Sequence, residues 1–252
     1  MGGVREPDDL ADGVAVMAEA KRITVLSGAG VSTDSGIPDF RGPNGLWTRD
    51  PSAERMSTFA DYRDDPEVRR RSWQARLSHP GWAAEPNAAH RALVALEQAG
   101  RLVALVTQNI DGLHQRAGSV SVLEIHGTMH ETVCLSCADR RPMRAALDRV
   151  AEGDPDPACL ACGGILKSAT ISFGQPLDTD VLMAARDAVL SCDLMLAVGS
   201  SLSVQPAAGL VGLAARAGAA VVICNASETP YDELAAIVLR DPLGEVLPAL
   251  VS

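Results

Sequence analysis

Four cysteines fall in two C-x-x-C pairs, Cys134 with Cys137 and Cys159 with Cys162. Each two-residue gap lets one turn aim two sulfurs at a single ion, and two such knuckles complete the tetrahedral thiolate set of a structural zinc. Gly163-Gly164 after the second pair supplies the permissive backbone that such a turn needs. Four cysteines leave no open coordination position for water, so the expected role is in folding, not chemistry. The competing reading, a pair of redox-active dithiols, lacks a thioredoxin-like context. Cys192 and Cys224 sit in apolar surroundings and are expected to be small core residues.

A second constellation follows the apolar run Ile23 to Ser27, reading GAGVSTDSGIPDFRG from Gly28 to Gly42. A strand, a tight glycine turn and a polar helix start form the arrangement in which backbone N–H groups meet a pyrophosphate. The turn lacks the last glycine of GxGxxG, and glycine turns after strands are often plain connections, so it decides little alone. Asp39-Phe40-Arg41 adds a carboxylate, a ring and a guanidinium, a set suited to a nucleotide's sugar and charged ring. His126 ends the run VLEIHG, where an imidazole titrating near neutrality can serve as a general base. Read in isolation, a histidine before glycine is an ordinary loop residue. His79, His90, His114 and His130 keep that plainer expectation, with His114 suited to holding its own loop by hydrogen bonding.

Apolar runs alternating with helical segments must position these residues, as a parallel sheet covered by helices requires. The expected strands are Ile23 to Ser27, Leu102 to Thr107, Val120 to Ile125, Thr170 to Phe173, Leu194 to Val198 and Ala220 to Cys224. Asn87 can cap a helix that stops at Gly100, and Pro206 suits the first turn of another ending near Gly218. Residues from about 49 to 86 read as a helical excursion; those from about 131 to 168 hold the cysteines around a short helix, Met143 to Ala151. Both are expected to be insertions into one sheet.

The 252 residues are 47% hydrophobic, enough for a substantial core. No apolar stretch approaches the roughly 20 residues of a spanning helix. The start, MGGVREPDDLADG, has neither an apolar block nor a basic amphipathic pattern, and Glu6 stands where a myristoylation site wants Ser or Thr, so a cytoplasmic address is expected. A net charge of -10 and 3% aromatic content argue against nucleic-acid binding. The acidic surface would favour cationic partners modestly, although solubility explains it as well.

The glycine loop, TQNIDGLH (Thr107 to His114), His126-Gly127, the cysteine quartet, SFG (Ser172 to Gly174), GSSLSVQP (Gly199 to Pro206) and Asn225 together resemble the sirtuin family in order and spacing, over nearly the whole chain. The resemblance implies an α/β fold, with a Rossmann-like parallel sheet bearing helices on both faces plus a small zinc-binding and helical domain. The Rossmann-like NAD-binding domain would comprise residues 1-48, 87-130 and 169-252. The helical module 49-86 and the zinc-binding module 131-168 would form the small domain. NAD, as co-substrate, and an acyl-lysine peptide would enter the cleft from opposite sides, one structural Zn2+ would be bound, and a monomer is the default.

By the same resemblance Gly28, Ala29, Gly30 and Ser32 would line the NAD pyrophosphate, with Asp39, Phe40 and Arg41 in a loop that orders over the cofactor. Gln108, Asn109, Ile110 and Asp111 match the surroundings of the nicotinamide and its ribose. Gly199, Ser200 and Ser201 match further phosphate and ribose contacts, and Asn225 an adenosine ribose contact. His126 would be the general base, with Asn109 and Asp111 placing the nicotinamide end. The peptide would lie as a strand between Ser172-Phe173-Gly174 and Ser203-Val204-Gln205. The implied reaction expels nicotinamide as the acyl oxygen attacks the ribose carbon, then yields free lysine and O-acyl-ADP-ribose.

Three departures stand out. Gln175 replaces the family's usual Glu, and Lys167-Ser168 replaces Arg-Pro, both beside the expected peptide groove. Trp73-Gln74-Ala75-Arg76 aligns with the Tyr-x-x-Arg pair by which one subgroup reads the carboxylate of succinyl-lysine. Arg76 retains that ability, whereas Trp73 offers only an indole N–H; the plainer reading packs both on a surface helix beside Arg69 to Arg71. The expected activity is deacetylation, with desuccinylation as a second candidate. The alternatives are an ADP-ribosyltransferase using the same pocket and a non-catalytic NAD-sensing or zinc-scaffold module.

Overall fold

The computed structural model describes residues 8–42 and 45–252, so the reading of segment 1–7 lies outside the described residues. Its strands, in chain order, are β1 (Ile23–Ser27), β2 (Leu102–Thr107), β3 (Val122–Glu124), β4 (Gly127–Cys134), β5 (Arg140–Pro142), β6 (Leu166–Thr170), β7 (Leu194–Val198), β8 (Ala220–Cys224) and β9 (Ile237–Leu239). Six form a parallel sheet in the order β3-β2-β1-β7-β8-β9; the others form an antiparallel sheet in the order β5-β4-β6. The chain builds outward from β1 through β2 to β3, then returns to lay β7 on the other side of β1. That reversal opens a crevice at the carboxyl ends of β1 and β7, where open α/β sheets bind ligands.

The apolar runs are unbroken because both faces of the sheet are covered. Ile23, Val25, Leu194, Leu196 and Val198 pack into one core with helices Asp8–Glu19, Ala88–Gln98 and Leu243–Val251. Leu26, Met195, Ala197, Val221 and Ile223 pack into the other, against helices Thr179–Leu190 and Gly209–Arg216. The alternation follows the two-residue period of a strand, and truncating one such buried side chain to alanine costs about 2–5 kcal/mol. A third core, around Trp73, Met143, Leu147 and Val150, joins helices Pro66–Leu77 and Met143–Ala151 to the small sheet and includes Cys134 and Cys159.

Helix Ala88–Gln98 starts as expected, with the Asn87 side chain accepting from the backbone N–H groups of Ala89 and His90, and ends before Gly100 at φ +70°. Two expectations fail. The stretch Thr170 to Phe173 is not a strand of the parallel sheet: the ladder runs through Leu166–Thr170 in the small sheet, because Lys167 and Ser168 are buried there beside β4. Pro206 does not open a helix either; the helical segment begins at Gly209, after a turn in which Ala208 N donates to Val204 O. No helix among the described residues is long and apolar enough to cross a membrane.

Candidate active site

The crevice is lined by the turns that leave β1, β2 and β7. Gly28 and Gly30 let the first and last of these meet: a Cβ on Gly28 would lie 2.7 Å from Gly199 O, and one on Gly30 would lie 2.8 Å from Gly199 Cα. Gly28 N donates to Val198 O and Gly30 N to Gly199 O, so the two turns are stitched backbone to backbone. Ala29 opens the 3-10 helix Ala29–Ser35, which carries Ser32 into the interior. Such a backbone-only wall at a strand end suits a dinucleotide, whose phosphates need close approach to main-chain groups.

After β2 the chain delivers Gln108, Asn109, Ile110 and Asp111 to the same place. Ser32 Oγ donates to Asp111 Oδ2 (2.6 Å), Asn109 Nδ2 donates to Ser32 Oγ (3.2 Å), and Leu113 N donates to Asp111 Oδ1 (2.9 Å). Gln108 Nε2 donates to Ser200 Oγ at 2.9 Å, which ties the β2 turn to the β7 turn. Ile110 is half-buried and its carbonyl accepts from Met129 N. Asn109, Asp111 and Ser200 are all buried, and these hydrogen bonds hold Asn109 Nδ2, both Asp111 carboxylate oxygens and Ser200 Oγ in place of bulk water.

His126 stands between β3 and β4, its Nδ1 3.0 Å from Gln108 O. A carbonyl oxygen only accepts, so Nδ1 carries the proton and the lone pair is left on Nε2, the atom that can act as base. Burial lowers the His126 pKa below the usual imidazole value, opposed by the bond to Gln108 O. Gly127 follows at φ +72°, where a Cβ would press 2.1 Å from Ala169 O; only glycine lets the chain turn here into β4. His130 Nε2 donates to Asp111 O at 2.8 Å, and His114 Nε2 lies 2.9 Å from Ser27 Oγ, itself bonded to Thr107 Oγ1. Burial drives the pKa of His114 down to about 3 and that of His90 to about 4, so both are neutral, His114 bonded to Ser27 and His90 to Asn87 at the start of helix Ala88–Gln98.

The remaining expected contacts lie around the rim. Asp39 Oδ1 accepts from Gly42 N, while Phe40 and Arg41 both contact the Trp47 ring, at 4.9 Å and 4.5 Å. Ser201 Oγ and Ser203 Oγ stand 2.8 Å apart, with Val204 half-buried beside them. Asn225 follows β8, its Nδ2 donating to Ser227 O, next to Cys224 O, which accepts from Gly199 N. Phe173 and Gly174 are exposed, and Phe173 pairs with Thr58 through Phe59 N to Phe173 O (2.9 Å) and Phe173 N to Ser57 O (2.8 Å).

The four cysteine sulfurs converge as the spacing predicts. All lie within 4.8 Å of one another, with Cys134 and Cys162 3.5 Å apart and Cys137 and Cys159 3.8 Å apart. Four sulfurs on a tetrahedral zinc with bonds of about 2.3 Å stand roughly 3.8 Å apart, so the set fits that ion. The two knuckles match: Ser136 N donates to Cys134 Sγ and Ala161 N to Cys159 Sγ, each at 3.4 Å, and Ala138 and Gly163 close the turns at φ +60° and +74°.

With this geometry in hand, comparison with known proteins identifies the family. Residues 28–206 match the profile of the Sir2 family. The chain belongs to it. A curated Sir2 relative from Streptomyces coelicolor, described as NAD-dependent protein deacetylase 2, is 54% identical over 231 residues, covering 91% of this chain and 96% of its own. A Sir2 structure with p53 peptide and NAD+ superposes with a TM-score of 0.83 at 34% identity, covering 94% of this chain and 95% of that one. A histidine-to-alanine Sir2 variant with deacetylated p53 peptide and 3'-O-acetyl ADP ribose gives a TM-score of 0.89, also at 34% identity, covering 96% and 97%.

The three departures from the Sir2 pattern have distinct surroundings. Gln175 Oε1 accepts from Ser172 N, so its amide closes a turn that a carboxylate would charge. Trp73 is wholly buried in the third core, with Nε1 bonded to nothing among the described residues. The Arg76 guanidinium lies 5.4 Å from the Tyr62 ring and 5.5 Å from the Trp73 ring; Nη2 donates to Ser168 Oγ (3.2 Å), and buried Nη1 has no partner among the described residues. Lys167 Nζ donates to Ser168 O and Thr170 O, and burial, with the nearby Arg76, pushes its pKa down to about 7. Sequence reasoning passed over Trp47, Tyr62 and the burial of Lys167. The only signal for Trp47 was an aromatic close behind the Asp39-Phe40-Arg41 set.

Proposed function

We propose that the protein removes acyl groups from protein lysine side chains with NAD as co-substrate, yielding nicotinamide, O-acyl-ADP-ribose and free lysine. The observation that carries this is the bonded chain from His126 through Gln108 to Ser200, alongside the Ser32–Asn109–Asp111 cluster, all at one crevice. Bound NAD supplies an electrophilic ribose carbon with nicotinamide as its leaving group. Gly28, Ala29, Gly30 and Gly199 bring bare backbone to the phosphates. Ser32, Asn109 and Asp111 hold the nicotinamide end, a task of placement and electrostatics. His126 takes a proton at Nε2 from a ribose hydroxyl, since its Nδ1–H is held by Gln108 O. Cys134, Cys137, Cys159 and Cys162 would hold a zinc that fixes the small sheet and takes no part in bond cleavage.

The peptide would lie against Ser172, Phe173 and Gly174 on one side and Ser203 and Val204 on the other. Phe173 already spends its backbone groups on residues 57–59, and Ser172 N is taken by Gln175, so Gly174 is left as the main-chain partner. We also read the chain as a Rossmann-like domain of residues 1-48, 87-130 and 169-252 and a small domain of 49-86 and 131-168; the separate small sheet and third core support that division. Mass spectrometry of the products tests the activity. O-acetyl-ADP-ribose beside unmodified lysine is expected from an acetyl-peptide, whereas ADP-ribose left on protein would favour the transferase.

One observation favours a second acyl class. Arg76 and Lys167 are buried side by side and neither meets a carboxylate among the described residues, an arrangement that burial makes costly without an anion. The carboxylate of a succinyl-lysine would supply one. Arg76→Met should lower kcat/KM on a succinyl-peptide by about 10- to 100-fold, the worth of a charge-assisted hydrogen bond, and leave the acetyl-peptide rate nearly unchanged. Equal losses on both peptides, or none, would remove the carboxylate reading.

A further inference from the structure

We propose that Trp47 is a positioning residue that couples acyl-lysine peptide binding to cofactor binding. The inference rests on the reading above that Phe40 and Arg41 meet NAD and that Phe173 meets the peptide. Trp47 sits in the short helix Leu46–Arg49 with its ring between those two groups: the Phe40 centroid is 4.9 Å away and tilted by 45°, and the Phe173 centroid is 5.6 Å away and tilted by 55°. The Arg41 guanidinium carbon lies 4.5 Å from the same ring. Trp47 N donates to Phe40 O (3.0 Å) and Leu46 N to Asp39 O (2.8 Å), so the indole moves with the cofactor segment. Phe173 is fixed elsewhere, by its pairing with Thr58.

The energetic argument follows from where these rings sit. Phe40 and Phe173 are each 39% exposed, and most side chains of residues 39–42 and 45–50 are exposed or half-buried, so the segment is held by few buried contacts. Ordering it draws on the aromatic stack and the cation above it. A ligand that fixes Phe40 and Arg41 therefore also fixes Trp47 against Phe173, and a peptide that fixes Phe173 stabilises the same stack from the other side. The second ligand then meets a segment already ordered, which is positive coupling without any contact between the two ligands. Linkage requires the effect to be equal in both directions.

The test uses the full chain and carba-NAD, a non-reactive NAD analogue, titrated calorimetrically with and without a saturating acetyl-lysine peptide. In the wild-type protein the peptide should tighten carba-NAD by about tenfold, and carba-NAD should tighten the peptide equally. In Trp47→Ala the coupling, read as the ratio of each ligand's affinity with and without the other so that any weakening of one ligand alone cancels, should fall to nearly one. Trp47→Phe keeps a ring between Phe40 and Phe173 and should restore most of the coupling, which separates positioning from general damage. Should Trp47→Ala unfold, Trp47→Leu carries the same comparison. Undiminished coupling in the ring-less variant, or none in the wild type, overturns the inference. Failure of the wild type to bind either ligand would instead overturn the functional reading beneath it.

Discussion

Replacing His126 with alanine should lower deacylase turnover by about 10²- to 10⁴-fold, the usual contribution of a positioned general base. The same substitution should leave NAD binding largely intact, because on the proposed reading the phosphates would meet Gly28, Gly30 and Gly199 and the nicotinamide end Ser32, Asn109 and Asp111, none of them bonded to the imidazole. The pH profile sharpens this. His126 works as a base only when Nε2 is unprotonated, and burial lowers its pKa, so kcat/KM should stay level down through neutrality. It should fall only at a pH below the ordinary imidazole value near 6.5, and that limb should vanish in the alanine variant. A variant with near-normal turnover, or an acid limb at or above the ordinary value, would remove His126 from the role.

Stripping the metal, or replacing Cys159 with alanine, should abolish activity by unfolding the small sheet, while the parallel sheet persists. Apparent zinc-binding energies of structural thiolate sites, about 10–16 kcal/mol, are as large as the entire stability of a typical domain. Two of the four ligands, Cys134 and Cys159, are also members of the third hydrophobic core, so the loops that hold the ion and the packing of Trp73, Met143 and Leu147 fail together. The Arg69–Asp156 ion pair, 2.8 Å and mostly buried, links helix Pro66–Leu77 to the segment before Cys159, so the damage should reach the helical excursion too. Zinc at one equivalent per chain and protease cleavage confined to residues 49–86 and 127–170 after chelation are the expected results. Full activity in metal-free protein would contradict the assignment.

How legible each part was follows from what holds it. β1, β2, β7 and β8 could be read almost residue for residue, because strands buried on both faces are uninterrupted apolar runs. The three-residue edge strand Ile237–Leu239 is too short to show any period. β4 and β6 were hidden for a different reason: Thr132, Lys167 and Ser168 are buried polar residues whose partners come from the small sheet and Arg76, a tertiary fact that hydropathy does not encode. Capping at Asn87 is local chemistry and was visible; the place where helix Gly209–Arg216 begins depends on the preceding turn and was not.

The site divides the same way. Spacing alone led to the cysteine cluster, because two-residue gaps fix sulfur geometry. Sequence order and motifs pointed to Ser32, Gln108, Asn109, Asp111, His126 and Ser200, and the hydrogen bonds joining them are contacts between distant strand ends. Trp47 escaped notice because its meaning lies in the Phe173 ring far along the chain. Trp73 shows the limit of motif reading: its position suggests an acyl contact, while its indole is wholly enclosed by the third core.

The most direct test of the central claim is the stoichiometry of a single assay, nicotinamide released against lysine freed from an acetyl-peptide, run with NAD and again after exhaustive removal of the dinucleotide. One nicotinamide per lysine with NAD, and no deacylation without it, is the predicted result. Undiminished deacylation in the dinucleotide-free sample would contradict it.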